Sequence, residues 1–347
     1  MKRFSYIGSW LVCATLLCAC SSEDPGTEPQ SVGYTFHVQT RVAEGKPTVA
    51  PDDATQYTCL YVAERPVGHT EDLHCAPESR YKLTGGQYDL LDLYGQWYKF
   101  AFVCVPVLNG VGGANMLTEE NPVERTCDFN KLLIDYTSVL RLQKTNPQMA
   151  ATSDLNIYRQ VIDRWIDPQS IVRTEDVEMK RITGELIVDM GIPADQFPVD
   201  VKSITLTLKK PNMRVYVRDA ATGEVISDNG NGGDMVYELD FSGLAEAEYS
   251  QAMEQKQKFH LCLLPEVLNG TLTVNFKQPI PGGGNAIVME LGQGADQHLI
   301  EVRKNQITTV LYNGMTRDEF EVRYAGFDDD AQIGVEDDNW NGWSPKN

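Results

Sequence analysis

Histidine is scarce and scattered in this chain of 347 residues. Its five copies, His37, His69, His74, His260 and His298, form no HExxH pair, and the chain has neither a GxSxG elbow nor a glycine-rich loop of the kind that cradles phosphate before a helix. The common hydrolase, metalloprotease and nucleotide-binding signatures are therefore missing, and the chain reads as a non-enzyme without a cofactor. No CxxC spacing occurs, which removes support for a zinc or thioredoxin-type site. Positive charge is also short: 30 bases face 49 acids, a formal net charge of −19. A nucleic-acid partner needs a basic face, so that class is excluded. Asp228 to Asp234 and Asp328 to Asp338 offer hard oxygen ligands without the spacing of a calcium loop, and His69-Thr-Glu71-Asp72-Leu-His74 reads as a solvated loop. After residue 20 there is no low-complexity tract and no apolar run long enough to cross a bilayer.

The N-terminus, by contrast, is rich in signal. Lys2 and Arg3 precede an apolar run from Trp10 to Leu17, followed by Leu17-Cys18-Ala19-Cys20 and at once by Ser21, Ser22, Glu23 and Asp24. A basic end with an apolar core of roughly ten residues is a secretory signal, too short to span a core of about 30 Å as a mature helix. A small-residue site ending in Cys is the pattern of bacterial lipoprotein processing, in which the thiol is linked to diacylglycerol before cleavage. Residues 1–19 are thus expected to be removed, Cys20 to carry the lipid, and residues 20–30 to form a polar tether. Acyl chains that bury methylenes at roughly 0.8 kcal/mol each would hold such a terminus to a membrane. Five cysteines then remain. Cys59, Cys104 and Cys262 sit among apolar neighbours and read as buried core residues, whereas Cys75 and Cys127 lie in polar sequence and could pair with each other.

The rest of the chain is dominated by short alternating strands. Tyr34, Phe36 and Val38 share one face at period two, and Tyr57 to Val62, Tyr81 to Leu83, Gly86 to Leu91 and Trp97 to Val105 continue the series. Such a meander predicts a β-sandwich or barrel. From Pro106 to Val161 the pattern loosens, and Phe129 to Leu142 fits a short helix or an irregular crossover equally well. Little helix is expected elsewhere. A second run of strands opens near Thr174 and continues through Val201 to Leu208, Val236 to Phe241, Lys258 to Leu264, Thr271 to Phe276, Ala286 to Leu291, Ile307 to Tyr312 and Phe320 to Tyr324. Length and pattern together predict two β-domains, residues 31–173 and 174–347.

The lipobox with its acidic tether, the opening strand ending in Arg41, the entry Lys180-Arg181-Ile182-Thr183-Gly184-Glu185, the late segment Ile300 to Gln306 and the closing Ile333-Gly-Val335 with Trp340 together resemble a Bacteroidales-type fimbrillin or the related lipid-anchored minor (anchor) subunit of a fimbrium. The resemblance implies a mainly β fold of two tandem transthyretin-like β-sandwiches. It implies a location on the outer membrane, held by lipidated Cys20, and a role in fimbrial assembly and cell adhesion. It also implies partners among other fimbrial subunits, joined by β-strand complementation. In polymerising members a protease cuts after an Arg beyond the first strand, and a strand from near the C-terminus of the next subunit fills the vacated groove. Arg41 stands where that cut would fall, although it reads equally as a strand-end surface Arg, and Ile333, Val335 and Trp340 are the candidate donor residues. Anchor members keep the strand, and the position in the fibre is left open. An alternative is a glycan-binding surface lipoprotein that uses exposed aromatics. Trp97, Trp165, Trp340 and Trp343 are candidates for it, with Trp97 expected in the core.

Overall fold

The structure is a computed structural model, and it describes residues 31–41, 50, 52, 54–65, 74–75, 80–108, 110–119, 127–171, 173–192, 194–218, 233–255, 257–292, 300–312 and 320–326. The chain is mainly β, and the alternation read in the sequence becomes strands almost throughout. The first half comprises β1 (Val32–Arg41), β2 (Gln56–Arg65), β3 (His74–Cys75), β4 (Arg80–Lys82), β5 (Gln87–Leu93), β6 (Trp97–Leu108), β7 (Val111–Gly112), β8 (Leu117–Glu119), β9 (Cys127–Asp128), β10 (Leu132–Asp135), helix α1 (Thr137–Thr145), β11 (Tyr158–Trp165) and β12 (Thr174–Arg181). Its main sheet runs β5-β1-β12-β11-β6-β2-β3-β9, with β4 also on β2 and β7 on β6.

That sheet is folded over on itself. β1 and β6 are three ladder spacings apart, roughly 14 Å if the sheet were flat. Yet the Phe36 ring of β1 lies 4.9 Å from Phe100 and 5.1 Å from Phe102 of β6, centroid to centroid. The concave face so formed buries Val32, Phe36, Val38, Leu60, Leu90, Tyr98, Phe100, Phe102, Val177 and Met179 in one core. β6 is buried on both faces: Ala101, Val103 and Val105 point into a second core on its other side. This is why Phe100 to Val105 (FAFVCV) is continuously apolar rather than alternating.

The second half comprises β13 (Gly184–Asp189), β14 (Val201–Leu208), β15 (Arg214–Tyr216), β16 (Met235–Asp240), helix α2 (Glu246–Gln255), β17 (Lys258–Leu263), β18 (Glu266–Val267), β19 (Gly270–Phe276), β20 (Ala286–Leu291), β21 (Glu301–Val302), β22 (Gln306–Tyr312) and β23 (Phe320–Gly326). Two four-stranded sheets, β17-β13-β22-β23 and β16-β14-β19-β20, form a sandwich. Their inner faces meet through Leu186, Val188, Leu261 and Val310 on one side and Ile204, Leu206, Tyr237 and Val274 on the other.

Three expectations are corrected. Residues 174–181 do not open the second half: β12 pairs in parallel with β1, Thr35 opposite Thr174 and Arg41 opposite Lys180, so the chain leaves the first sheet only at Ile182–Thr183. Gly184 marks the crossing, since a Cβ there would sit 2.2 Å from the Arg303 carbonyl oxygen. Helix α2 is a second helix where none was expected. The halves are also not independent. β15 of the second half pairs with β10 of the first, and a single apolar cluster runs from Cys59 and Val103 through Tyr136 and Leu140 to Val310 and Val322. Polar ties cross the same seam. The buried Gln143 amide of α1 donates to the Cys262 carbonyl at 3.0 Å and accepts the Cys262 N–H at 2.7 Å, and Arg159 donates to the Tyr216 carbonyl at 2.7 Å.

Candidate functional site

β1 owes its place to alternation. Val32, Phe36 and Val38 turn inward and are fully buried, each worth about 1.5–3 kcal/mol of transfer free energy, and Tyr34 packs beside them with its ring 4.9 Å from that of Phe36. The strand is internal to the sheet. On one side it pairs antiparallel with β5, Phe36 opposite Tyr88, and on the other in parallel with β12. At its far end Val38 donates its N–H to the Gly86 carbonyl. Gly86 has φ +74°, and a Cβ there would press the Val38 carbonyl oxygen at 3.1 Å, so the turn that closes the slot requires glycine.

Polar side chains pin the strand laterally. The Tyr34 hydroxyl donates to Glu175 at 3.2 Å, and Glu175 is gripped by both Arg164 Nε and Nη2. Burial, then the Glu175 charge, raise the Tyr34 phenol, and the hydrogen bonds to Glu175 raise the Arg164 guanidinium. On the outer face Thr35 donates to Asp89 at 2.6 Å, and His37 Nδ1 lies 3.2 Å from Asp176. Removing β1 would strip the ladder partner from β5 and β12 together and uncover the apolar slot between them. Two unpaired edges flanking a row of core side chains are what an incoming strand can satisfy.

Arg41 is the last residue of β1 and faces Lys180 in the ladder. The strand thus ends where the sequence places the candidate cut, at the end of the sheet beside the crossing into the second half. Cys20, Ile333, Val335, Trp340 and Trp343 lie outside the described residues, as do most of the acidic and histidine-bearing segments weighed as ion ligands. Among the described residues no group of three or more His, Cys, Asp or Glu side chains is placed to hold a metal ion. A cleft of about 990 Å³ between the β13 end and α2 is lined by Asp189, Asp195, Asp200, Glu246 and Glu254, with Lys258 paired to Asp189 at 2.7 Å and Lys277 to Asp200 at 3.7 Å. Cys59, Cys104 and Cys262 are buried and unbridged as read from their neighbours. Burial pushes the Cys262 thiol up to about 12, which makes it inert.

One expectation fails at this level. Trp97 is 45% exposed rather than buried in the core, and its cross-strand partner Trp165 is 48% exposed, their rings edge to face at 6.0 Å. Trp97 is the first residue of β6, directly after the Tyr94-Gly95-Gln96 turn, so it lies at the mouth of the sheet while Phe100 and Phe102 fill it.

No family model matches this chain, and no curated protein matches it. Among solved structures it is similar to a candidate adhesin from Bacteroides ovatus, at 10% identity over 85% of this chain and 93% of that one with a TM-score of 0.44. It is similar to a candidate polysaccharide-binding protein from Bacteroides thetaiotaomicron, at 9% identity over 84% and 96% with a TM-score of 0.46. It is likewise similar to the fimbrial anchor protein from Porphyromonas gingivalis, at 8% identity over 85% and 97% with a TM-score of 0.41. With TM-scores below 0.5, these likenesses leave the assignment of the chain to its own residues.

Proposed function

We propose that this chain is a surface lipoprotein subunit of a fimbrium, held at the outer membrane by an acylated Cys20 and joined to other subunits by strand complementation, with a structural rather than catalytic role. The observation that carries the reading is the construction of β1. It is an N-terminal strand, internal to its sheet, whose side chains fill a slot lined by Phe100 and Phe102, and it ends at Arg41. Cleavage after Arg41 would detach that strand as a unit. In an anchor subunit the strand stays, the slot remains filled from within, and only the other end of the molecule engages a partner.

The N-terminal sequence of the mature protein taken from cells tests the reading. A lipidated terminus at Cys20 with β1 retained marks an anchor, and a terminus at Val42 marks a polymerising unit. Arg41→Ala is expected to abolish the shorter form while leaving a folded monomer. A mature protein that starts at neither position, or that never co-purifies with fibre subunits, sinks the proposal. The second reading, glycan binding, is favoured by one observation, the exposed Trp97–Trp165 pair. Its rings meet at 64° and form an edge rather than the flat platform on which a sugar face stacks.

A further inference from the structure

The end of the first sheet opposite the seam gathers several exposed large hydrophobic side chains. Here β1 and β6 begin and β5 and β11 end: Val32 pairs with Leu93, Trp165 with Trp97, and Ile166 donates its N–H to the Gln96 carbonyl at 3.0 Å. Two stretches cover this pole, the Tyr94-Gly95-Gln96 turn and residues 166–171, and they touch where Gly95 abuts the Pro168 ring. Between them they present Tyr94 (44% exposed), Trp97, Trp165 and Ile171 (97% exposed), with Leu91 (74% exposed) two residues before the pole on β5. The loop that carries Ile171 is held in shape, since the Arg173 guanidinium donates to the Ser170 and Pro168 carbonyls at 3.1 and 3.2 Å, and Asp167 accepts the Gln169 N–H at 2.9 Å.

The chain enters the fold at this same pole. Only eleven residues, Ser21 to Ser31, separate Cys20 from Val32, and they cannot span more than ~40 Å even fully extended. Resting on the reading that Cys20 is acylated, we infer that this pole is a membrane-contact face, in which Trp97, Trp165, Tyr94 and Ile171 seat in the interfacial layer of the bilayer that holds the lipid anchor. The composition fits that occupant. Trp and Tyr with an apolar body and a polar tip favour the headgroup level, and an aliphatic tip reaches the acyl boundary. A sugar-binding face would instead need a flat ring, and Ile171 and Leu91 would add nothing to it. The contact would fix orientation: the first half sits against the membrane, and the seam with the second half points away from it.

The test uses full-length mature protein reconstituted into phosphatidylethanolamine–phosphatidylglycerol vesicles containing a brominated lipid that quenches tryptophan on contact. Wild-type protein is expected to be quenched, and the Trp97→Phe/Trp165→Phe variant to lose that part of the quenching while remaining vesicle-bound through its lipid. Quenching that is equal in the two proteins, or absent from the wild type, overturns the inference. Binding of a polysaccharide through this pair without lipid quenching overturns it in favour of a sugar site, and protection of the pair by self-association overturns it in favour of a subunit contact. The mass of the mature N-terminus reports acylation separately. If Cys20 proves unmodified, the same quenching experiment on Cys20→Ala protein added to vesicles still decides the face.

Discussion

Burial pushes the Glu266 carboxyl up to about 8, and the Asn212 N–H donated at 2.8 Å offsets that only in part. In the unfolded chain the same group titrates near 4.5. Between these values the folded state binds the extra proton, so stability from this group is complete below the lower value and is lost as pH rises toward the upper one. Glu266→Gln is expected to flatten that slope, read as urea midpoints at about pH 5 and about pH 8; an unchanged slope would show that the carboxyl is ionised in the fold. Residue identity alone hides such a site. Pro265-Glu266-Val267 is an ordinary polar break in the sequence, and the half-buried setting of Glu266 comes with the pairing of β18 and β21, Glu266 opposite Val302.

At the scale of elements, register turns a loose suggestion about cysteines into a specific one. β3 and β9 are antiparallel with Cys75 directly opposite Cys127. Opposed residues in such a ladder have Cα atoms roughly 4.5–5.5 Å apart, inside the roughly 4.4–6.8 Å that a disulfide requires. Cys59 and Cys104 offer no competing pair, because they lie in different cores on opposite faces of the sheet. Denatured, unreduced mature protein is therefore expected to alkylate at Cys59, Cys104 and Cys262 and at neither Cys75 nor Cys127; labelling of all five excludes the bridge. By the chain-entropy account its loss would cost about 3–4 kcal/mol. Most strands were legible because period-two alternation is a local signal: β1, β14, β20 and β22 fall within a residue or two of their expected bounds. Helix α2 was missed, although Tyr249, Ala252 and Met253 lie at helical spacing on its buried face, because the strand-rich surroundings masked that period. What local pattern cannot carry is pairing. Nothing in Thr174 to Arg181 says that its neighbour is β1 rather than β13, and the candidate slot is defined by that neighbour.

On the scale of the whole molecule, the shared core decides how the protein comes apart. Tyr136 donates its hydroxyl to the Leu155 carbonyl at 2.7 Å in the middle of a cluster built from both halves, so the larger of the two cores is completed by neither half alone. Thermal unfolding is expected as one transition with coincident calorimetric and spectroscopic midpoints, and two resolved transitions would restore independent domains. The parallel pairing of β1 with β12 has a further consequence in time. A chain delivered N-terminus first exposes Val32, Phe36 and Val38 at once, but the strand that completes their sheet, Thr174 to Arg181, follows about 140 residues later. Contacts of such sequence separation form late because loop closure must precede them. Until then the opening strand has only β5 to lean on, and the nascent protein carries an unfilled groove and an unsatisfied apolar strand together. Any factor that protects the growing chain during that interval should therefore recognise Val32 to Arg41 for as long as Thr174 to Arg181 has not been made.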